Sequence, residues 1–551
     1  MVRGTRCLLL VKRIECFAIL GLPRFERFCV LKKRSLPAFW FVPVLFFASS
    51  FLLTSCGNNY YFGGRSLPPS GILNRVLIAE QTPSALSKGA LPFVDAFYDI
   101  RHSFNNTVPS FAISGYSGAL PLTIQNMPEE QIGAVYGAGD GSFTLVSYAT
   151  EKVATPITVP GGLSSSIFIS RDRHYVYAAN DTTHVLSVID TVANKSYTMD
   201  LPNVYKVSVN PGGTIALAFV QNSSQAAGTS SCIVANPTDN PNQNSSGVPP
   251  VSCAAPAGQF SVYSVVHLTN AQSTAAANNR NYLGAQDCEP QNLPQYCIFP
   301  VSTGASATFD RPIKAIFSPD GSTAYVLNCG PECGGTTASV TAIPLTASQL
   351  NPNSTGANGI ALVAQSNVAI PGGATNAIFN GNTMYLAGQC FASGQNLSCA
   401  GPGQTGDGLF VGNVSILNTQ TSQVTGPFAI SDGSHNKMVF ADDNTLWIGS
   451  TQCQAGEHYK QVQAGANEQF GCLTMFNTTN NAVLLDSYKG DATGIAAVTG
   501  LSKVYTAEGG QIYIYNTTDG SERDNSNVSV SGTAADVAYM DAASDGDNTD
   551  Y

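Results

Sequence analysis

The sequence predicts an all-β fold, and more specifically a β-propeller of eight four-stranded blades, from three observations. Charged residues make up only 11% of the 551 residues, whereas 52 are Gly and 30 are Pro, as in short strands joined by turns. An apolar and aromatic run of five residues recurs eight times along the chain. Tyr136 and Tyr177, at equivalent positions in two of these runs, are 41 residues apart, within the roughly 40–50 residues of a propeller blade.

Residues 174–213 give the plainest form of the repeat. Alternating runs at 175–179, 185–189, 195–201 and 204–209 predict four strands, and the last run closes on the turn sequence Asn-Pro-Gly-Gly at 210–213. We label the strands of a blade A, the innermost, to D, the outermost. This stretch then supplies strands B, C and D of one blade and strand A of the next.

The B-strand run is the most regular marker of the repeat. It occurs at 75–79, 134–138, 175–179, 215–219, 324–328, 384–388, 446–450 and 504–508. An alternating C strand is predicted after each run and an A strand before it, as at 313–321. Eight runs therefore predict eight blades.

The chain resembles the YVTN-type, lactonase-like β-propeller repeat proteins of bacteria at three places. These are YVYAAN at 175–180, VLSVID at 185–190 and FSPDG at 317–321. Blades of that family read VYVAN, TVSVID, a threonine/valine strand and VAVSPDG. The resemblance covers about residues 74–541 and implies a propeller. It does not select a function, because one propeller scaffold hosts many activities.

Closure of the ring is predicted from the two ends of the repeat. The first run, 75–79, is a B strand, and the last predicted strand, 536–540, is an A strand. The C-terminal strand would therefore complete the first blade beside the N-terminal strands, which leaves no open inner edge. Seven blades are the alternative, because residues 75–128 are the least regular part of the repeat. A two-sheet sandwich is the third possibility.

An export signal is predicted ahead of the propeller. A basic stretch at 31–34 is followed by an apolar run at 38–53 and then by Leu-Thr-Ser-Cys at 53–56, which resembles the bacterial lipobox. Cys56 would be lipidated and become the mature N-terminus. The alternatives are a transmembrane anchor, which Pro43 and the short apolar length disfavour, and an ordinary cleaved signal with an incidental cysteine.

The predicted organisation follows from these boundaries. Residues 1–30 fit no export pattern and are expected to be untranslated or unstructured, with translation starting near Val30 or Leu31. Residues 31–55 are the lipoprotein signal peptide, 56–72 a tether, 73–541 the propeller and 542–551 an acidic tail. The expected location is the bacterial cell envelope, at the outer membrane or its periplasmic face, with membrane contact through the lipid only.

Charge argues against nucleic acid as a partner. After Cys56 the chain has 17 basic and 34 acidic residues, a formal charge of −17. Such a surface repels phosphate backbones, whose binding depends on positive charge.

Ten cysteines follow Cys56, and in an exported chain they predict disulfides. Pairing of sequence neighbours is the simplest of many connectivities, and it gives Cys232–Cys253, Cys288–Cys297, Cys329–Cys333, Cys390–Cys399 and Cys453–Cys472. The spacing of Cys329 and Cys333 has one residue too many for a C-x-x-C redox motif, so a structural bridge is expected there.

The position of these cysteines predicts a binding face. All pairs except Cys288–Cys297 lie between a predicted B strand and the following C strand, in four consecutive blades. B-to-C and D-to-A connections emerge on the same face of a propeller because neighbouring strands are antiparallel. We call these B-to-C insertions the crown. Long loops on a rigid scaffold often carry binding, although the crown could also merely shield the ends of the blades.

Motifs for catalysis are missing from the sequence. There is no G-x-S-x-G elbow, phosphate loop, H-E-x-x-H or dinucleotide fingerprint, and the six histidines show no ligand spacing. The acidic C-terminus has the composition of a calcium loop without its spacing. No cofactor and no metal site are therefore expected.

One column stands out when the A strands are aligned by their apolar cores. The residue just before the core is, in chain order, Ser166, Lys206, Lys314, Asn376, Lys437, Gly494 and Asp536. A strands line the central channel, so the lysines predict a cationic mouth on the crown side, with Lys206, Lys314, Asn376, Lys437 and Asp536 as candidate ligand-binding residues. It would suit a carboxylate, a uronic sugar or an acidic side chain. Alternatively, each lysine pairs with an aspartate of a neighbouring blade, such as Asp491 or Asp536.

Three function classes follow from these predictions. The leading one is a lipid-anchored binding or scaffold propeller that engages a protein or glycan of the cell envelope through the crown. The alternative is a propeller enzyme of lactonase or quinoprotein type acting on a small molecule in the channel. That alternative needs acid/base groups or a metal, which the column does not supply. A purely structural envelope component is the third.

Overall fold

A computed structural model describes residues 64–82, 88–101, 111–154, 156–159, 164, 166–199, 201, 203–221, 260–289, 295–304, 307–345, 362–365, 367–393, 407–466 and 469–544. Within these residues the chain is a β-propeller of eight blades. The alternatives of seven blades and of a sandwich are thereby wrong. The predictions for residues 1–30, for the signal peptide and for Cys56 lie outside the described residues.

The innermost A strands run down the channel wall. Taken from blade 1 to blade 8, they are Thr533–Tyr539, Pro121–Met127, Ser166–Ile169, Val204–Val209, Pro312–Phe317, Asn376–Asn380, Ser434–Ala441 and Ala492–Val498. Each pairs antiparallel with the B strand of its own blade.

The B strands contain seven of the eight predicted runs in full and all of the eighth except Ala138, and they are the most buried strands. They are Arg75–Gln81, Ile132–Gly137, Tyr175–Ala179, Ile215–Gln221, Thr323–Asn328, Thr383–Ser393, Thr445–Thr451 and Lys503–Glu508. Their continuous apolar character follows from burial on both sheet faces, between the two neighbouring blades. Trp447 of blade 7, for example, packs on Tyr515 of blade 8 with ring centroids 5.6 Å apart.

The outer strands are less regular. The C strands are Phe93–Asp95, Ser142–Ser147, Leu186–Asp190, Phe260–His267, Ser339–Pro344, Asp407–Asn418, Leu473–Asn477 and Gln511–Asn516. The D strands of blades 2 to 7 are Lys152–Val153 with Ile157–Thr158, Lys195–Thr198, Tyr296–Pro300, Asn367–Ala369, Gln423–Ala429 and Val483–Leu485. In blades 1 and 8 single bridges, Pro92 to Ala112 and Tyr515 to Glu522, mark the fourth position.

Some elements lie outside this pattern. Helix α1 (Asn270–Ala276) and strand Asp287–Glu289 are inserted between strands C and D of blade 4, and helix α2 (Glu457–Gln463) lies between strands B and C of blade 7. Ser302–Thr303 and Val363–Ala364 form a small parallel sheet. Neither helix could be predicted from the sequence, because seven residues are too few to show a helical period.

Closure of the ring occurs as predicted. The C-terminal strand Thr533–Tyr539 pairs antiparallel with Arg75–Gln81, with Val76 opposite Tyr539 and Ala79 opposite Asp536. The guanidinium of Arg75 is fully buried at this junction. It binds Asp541 at 2.7 Å and Glu151 of blade 2 at 2.8 Å.

The ends of the propeller segment also contact its body. Arg65 donates hydrogen bonds to the carbonyl oxygens of Pro128 and Ala542, and Ser70 donates to Glu151. Ile72 and Ala542 belong to the buried core. The packed part of the chain therefore includes Arg65, which lies inside the predicted tether. It also includes Ala542, the first residue of the predicted acidic tail.

Two faces follow from the strand order. D-to-A and B-to-C connections emerge on one face, which we call the upper face, and A-to-B and C-to-D connections emerge on the lower face. The A strands begin at the upper face. The channel mouth on that face is where the candidate column lies.

Candidate functional site

A β-bulge recurs at the upper end of the A strands. The ladder between strands A and B shifts register there in six blades of the described chain, between Pro121 and Thr123, Val204 and Lys206, Pro312 and Lys314, His435 and Lys437, Ala492 and Gly494, and opposite Ala79 and Glu80 in blade 1. Each shift inserts one residue ahead of the aligned column. The column residues Lys206, Lys314 and Lys437 are thus the first regularly paired residues after a bulge.

The bulges change which side chains face the channel. In a regular strand successive side chains point to opposite faces. At the bulges, however, consecutive residues line one cavity, as Leu122 and Thr123 do in blade 2 and Asn436 and Lys437 do in blade 7. An inserted residue of this kind does not change the apolar pattern. The column could therefore be found from the sequence, whereas the bulge could not.

The cavity at the upper mouth of the channel has a volume of about 1320 Å³. Its wall includes Lys206, Lys314 and Lys437, which come from blades 4, 5 and 7. Gln125, Asn436, Gln452 and Gln454 add amide groups, and Asp491 adds a carboxylate. The structure thus brings the three lysines of the column into one cavity.

The two other candidate residues are buried behind this wall. Asn376 and Asp536 are 2% and 1% exposed. Lys314 donates to the Asn376 side-chain oxygen at 2.9 Å, and Lys437 donates to Asp536 at 3.0 Å. The lysine–aspartate pairing that the sequence left open as an alternative therefore occurs at Lys437.

Asp536 also joins the first two blades. Its carboxylate accepts the backbone N–H groups of Ile124 in blade 2 and of Val537. Burial raises the pKa of Asp536, while the ammonium of Lys437 acts in the opposite direction. Gly494 leaves the space for this contact, because a Cβ there would lie 2.8 Å from the Asp536 side chain. The column thus combines lysines that face the cavity with residues that hold the ring together.

Lys206 lies in a different environment from Lys437. It is half-buried, and burial lowers its pKa, whereas the nearby carboxylate of Asp181 raises it. The hydroxyl of the neighbouring Ser166, in blade 3, donates a hydrogen bond to the carbonyl oxygen of Val207 and accepts one from the N–H of Val207, both at 2.9 Å. The A strand carrying Lys206 is therefore fixed to the preceding blade.

The crown is described in three blades, and it is bound to the scaffold. The Cys329–Cys333 disulfide closes the turn between strands B and C of blade 5, as predicted. Glu332 within this turn is buried and accepts hydrogen bonds from the backbone and the side chain of Gln389 in blade 6. Burial raises the pKa of Glu332 to about 7.

The blade 7 part of the crown is the largest described. The Cys453–Cys472 disulfide spans the insertion that contains α2. His458 at the start of α2 binds the buried carboxylate of Asp432 through both its backbone N–H and its ring, each at 2.8 Å. Covalent and polar contacts thus both hold α2 beside the cavity.

The remaining predicted cysteines differ in position. In blade 6 the crown is a long extension of strands B and C, and Cys390, which is disulfide-bonded, lies in strand B. Cys288 pairs with Cys297 as predicted, and this disulfide joins the inserted strand Asp287–Glu289 to the lower end of strand D in blade 4. Cys232, Cys253 and Cys399 lie outside the described residues.

An aromatic group at the cavity rim was not predicted. Tyr459 on α2 and Tyr488 in the connection from blade 7 to blade 8 both line the cavity. Phe470 lies between them, with ring centroids 5.0 Å from Tyr459 and 5.1 Å from Tyr488. These residues lie in connections without periodicity. The only signal for Tyr459 and Phe470 was their position within the Cys453–Cys472 insertion, and Tyr488 had none.

The chemistry of the cavity favours binding of an anion. Lysine ammonium groups, amides and tyrosines can hold a carboxylate and hydroxyl groups. Among the described residues, no group of three or more His, Cys, Asp or Glu is arranged to hold a metal ion. His435 next to the bulge in blade 7 is buried, and burial lowers its pKa to about 4, so it is neutral at pH 7.

Comparison with known proteins does not assign the chain to a family. No protein-family model matches it, and no curated protein matches it in sequence. Among solved structures it is similar to the dihydro-heme d1 dehydrogenase NirN, with 10% identity, a TM-score of 0.47 and coverage of 87% of this chain and 79% of that one.

Two further structures are similar over most of their length. Apo AztD from Citrobacter koseri has 10% identity and a TM-score of 0.40, covering 85% of this chain and 97% of that one. A candidate 6-phosphogluconolactonase from Bacteroides fragilis has 11% identity and a TM-score of 0.38, with the same coverage. No argument about ligand or activity follows at this level of similarity.

The disulfides indicate the cellular compartment of the protein. Three of them, Cys288–Cys297, Cys329–Cys333 and Cys453–Cys472, indicate an oxidising, extracytoplasmic environment. In the part of the chain that is described, no helix is long and apolar enough to cross a membrane.

Proposed function

We propose that this protein is a lipid-anchored, extracytoplasmic binding propeller whose upper face takes an anionic protein or glycan of the cell envelope. The observation that carries the proposal is the meeting of Lys206, Lys314 and Lys437, from three blades, in one cavity. A chain with a formal charge of −17 after Cys56 thereby has a cationic recess. Opposite charge attracts a ligand to such a recess and orients it there.

Rigidity of the surroundings supports binding. The Cys329–Cys333 and Cys453–Cys472 disulfides restrain the crown in two blades. Glu332 and Asp432 bind neighbouring segments through buried hydrogen bonds. A site ordered before binding loses less conformational entropy when the ligand arrives, which favours affinity.

The anchor rests on the sequence pattern at residues 31–56, which resembles a lipoprotein signal and the lipobox. In its bacterial host the native chain should incorporate labelled fatty acid, and Cys56→Ser should not. Labelling of the Cys56→Ser variant would contradict attachment at this residue.

Charge removal tests the binding proposal. The double variant Lys206→Gln/Lys314→Gln leaves the Lys437–Asp536 pair intact and should weaken binding of anionic probes by about tenfold or more. The probes are a uronic-acid tetramer and a hexaglutamate peptide, measured by calorimetry at low and high salt. Lys152→Gln/Lys195→Gln is the matched control, because these exposed lysines lie on outer D strands.

Two outcomes would overturn the proposal. One is the absence of binding for both probes, and the other is equal binding by the cavity variant and the control. The enzyme alternative, which rests on the resemblance to lactonase-like repeats, is tested by lactone hydrolysis and metal analysis of the purified protein. Turnover that the lysine variant abolishes would favour that alternative.

A further inference from the structure

The rim of the cavity narrows the class of ligand. We infer that the ligand is an acidic saccharide whose sugar ring packs on Tyr459 and Tyr488 while its carboxylate faces the lysines. This inference rests on the proposed function, because it uses the same cavity. The juxtaposition that carries it is an aromatic rim and a cationic wall on a single recess.

The aromatic rim offers flat apolar surface to the solvent. Tyr488 is 41% exposed, a large value for an aromatic residue that already stacks on a neighbour. Its ring lies 5.1 Å from that of Phe470, with an angle of 22° between the planes. One face of a sugar ring carries mainly C–H groups, so stacking it on tyrosine buries apolar area on both partners.

The rim is also fixed in place. Tyr459 belongs to α2, which the Cys453–Cys472 disulfide and the His458–Asp432 hydrogen bonds hold. Tyr488 lies three residues before Asp491, whose carboxylate accepts the backbone N–H of Gln452 at 2.7 Å. The two tyrosines are thus attached to two segments that are hydrogen-bonded to each other.

Neutral polar groups in the wall of the same cavity can bind sugar hydroxyls. Asn436 and Gln454 are exposed and line the cavity, as do Thr451 and Thr493. Amide and hydroxyl side chains both donate and accept hydrogen bonds, as sugar hydroxyls do. An acidic peptide would use the lysines but has no comparable need for this neutral lining and the aromatic rim.

The lysines of the cavity wall favour an acidic saccharide over a neutral one. Lys314 donates a hydrogen bond to the neutral side chain of Asn376, and Lys437 donates one to the carboxylate of Asp536. A carboxylate gains a charge-assisted hydrogen bond from an ammonium group. At about 1320 Å³ the cavity exceeds the roughly 300–1,000 Å³ of sites for single small ligands, so an oligosaccharide fits better than a monosaccharide.

Calorimetry on the full purified chain tests this inference. The probes are tetramers of galacturonate and of mannuronate, the corresponding neutral galactose and mannose tetramers, and hexaglutamate. We expect at least one uronate tetramer to bind, and to bind at least tenfold more tightly than its neutral counterpart and than hexaglutamate. Tyr488→Ala and Tyr459→Ala should each weaken that binding about fivefold or more.

The matched control is Phe97→Ala, which removes an aromatic residue that is 56% exposed at a C-to-D turn on the lower face. It should leave binding unchanged. Circular dichroism and the thermal midpoint of each variant show whether the fold persists, and Tyr488→Leu keeps the bulk of the side chain without the ring.

The outcomes separate the inference from the proposed function. Binding of hexaglutamate alone, with loss in Lys206→Gln/Lys314→Gln, would overturn the saccharide and leave the anion-binding function standing. Uronate binding that survives both tyrosine variants would also overturn the inference. Absence of binding for every anionic probe would overturn both.

Discussion

Some residues of the aligned column stabilise the ring, and others face the cavity. Asp536 and Lys437 stand in the same aligned column, yet Asp536 is 1% exposed and binds two backbone N–H groups, whereas Lys437 reaches from the cavity wall to Asp536. A change at Asp536 is therefore expected to affect stability first. Changes at Lys206 and Lys314 are expected to affect binding first.

Glu508 should make stability fall as pH rises from 5 to 7. Its carboxyl is 1% exposed in blade 8 and accepts hydrogen bonds from Thr506 and Tyr515, and burial raises its pKa to about 7. The folded chain thus holds a proton that the unfolded chain, with a usual pKa near 4.5, has lost. The stabilising contribution is complete below pH 4.5 and disappears as pH rises through 7.

The expected slope is at most about 1.4 kcal/mol per pH unit for one extra bound proton. Denaturant unfolding at pH 5, 6, 7 and 8 should show a smaller slope in Glu508→Gln than in the native chain. Glu332, with a pKa also near 7, accounts for part of the remaining slope. Exposed Glu130→Gln is the control, and an unchanged slope in Glu508→Gln would contradict this assignment.

At the scale of elements, the crown consists of different structures in different blades. In blade 5 it is a short turn closed by Cys329–Cys333, in blade 6 an extended hairpin, and in blade 7 a loop with helix α2. All emerge on the upper face because all connect strands B and C. The topology, more than the conformation of each insertion, places them on the upper face, and of these three the blade 7 insertion contributes described residues to the cavity wall.

Removal of the blade 7 disulfide should loosen α2 and the rim. For Cys453→Ser/Cys472→Ser we expect a lower thermal midpoint, consistent with roughly 3 kcal/mol for a loop of this length, and faster trypsin cleavage at exposed Lys460. Cys288→Ser/Cys297→Ser removes a disulfide on the lower face and is the control. Equal cleavage at Lys460 in the native chain and the first variant would show that hydrogen bonds alone hold α2.

The sequence predicted the elements that have a period and missed those that do not. The B strands repeat an apolar run, so their number, the eight blades and the closing strand could be predicted. The lysine column could be found because it is defined relative to that run. The bulges, helix α1 and the rim of Tyr459 and Tyr488 could not, because an inserted residue, a helix of seven residues or an irregular connection leaves no periodic pattern.

At the scale of the whole molecule, the ring depends on one junction. The C-terminal strand joins the first blade, and Arg75, Asp541 and Glu151 form a buried ionic network beside it. Arg75 also donates to the carbonyl oxygen of Tyr148. A network of this kind is costly to break, because loss of one partner leaves buried charge uncompensated.

Arg75→Met should therefore destabilise the ring strongly. We expect a loss of about 3–5 kcal/mol in the free energy of unfolding, or failure to fold, since Asp541 and Glu151 would remain buried. Arg171→Met is the control, because Arg171 pairs with Glu129 and Glu130 at the surface and should cost less than about 1 kcal/mol. Similar losses in both variants would contradict a special role for the junction.

The contacts of Arg65 also fix the face at which the N-terminal end of the propeller lies. Arg65 binds the carbonyl oxygens of Pro128 and Ala542, which both follow the lower ends of A strands. The chain therefore joins the propeller at the lower face. The cavity opens at the opposite, upper face, so a label or solid support attached ahead of Arg65 should leave the cavity accessible to a ligand in solution.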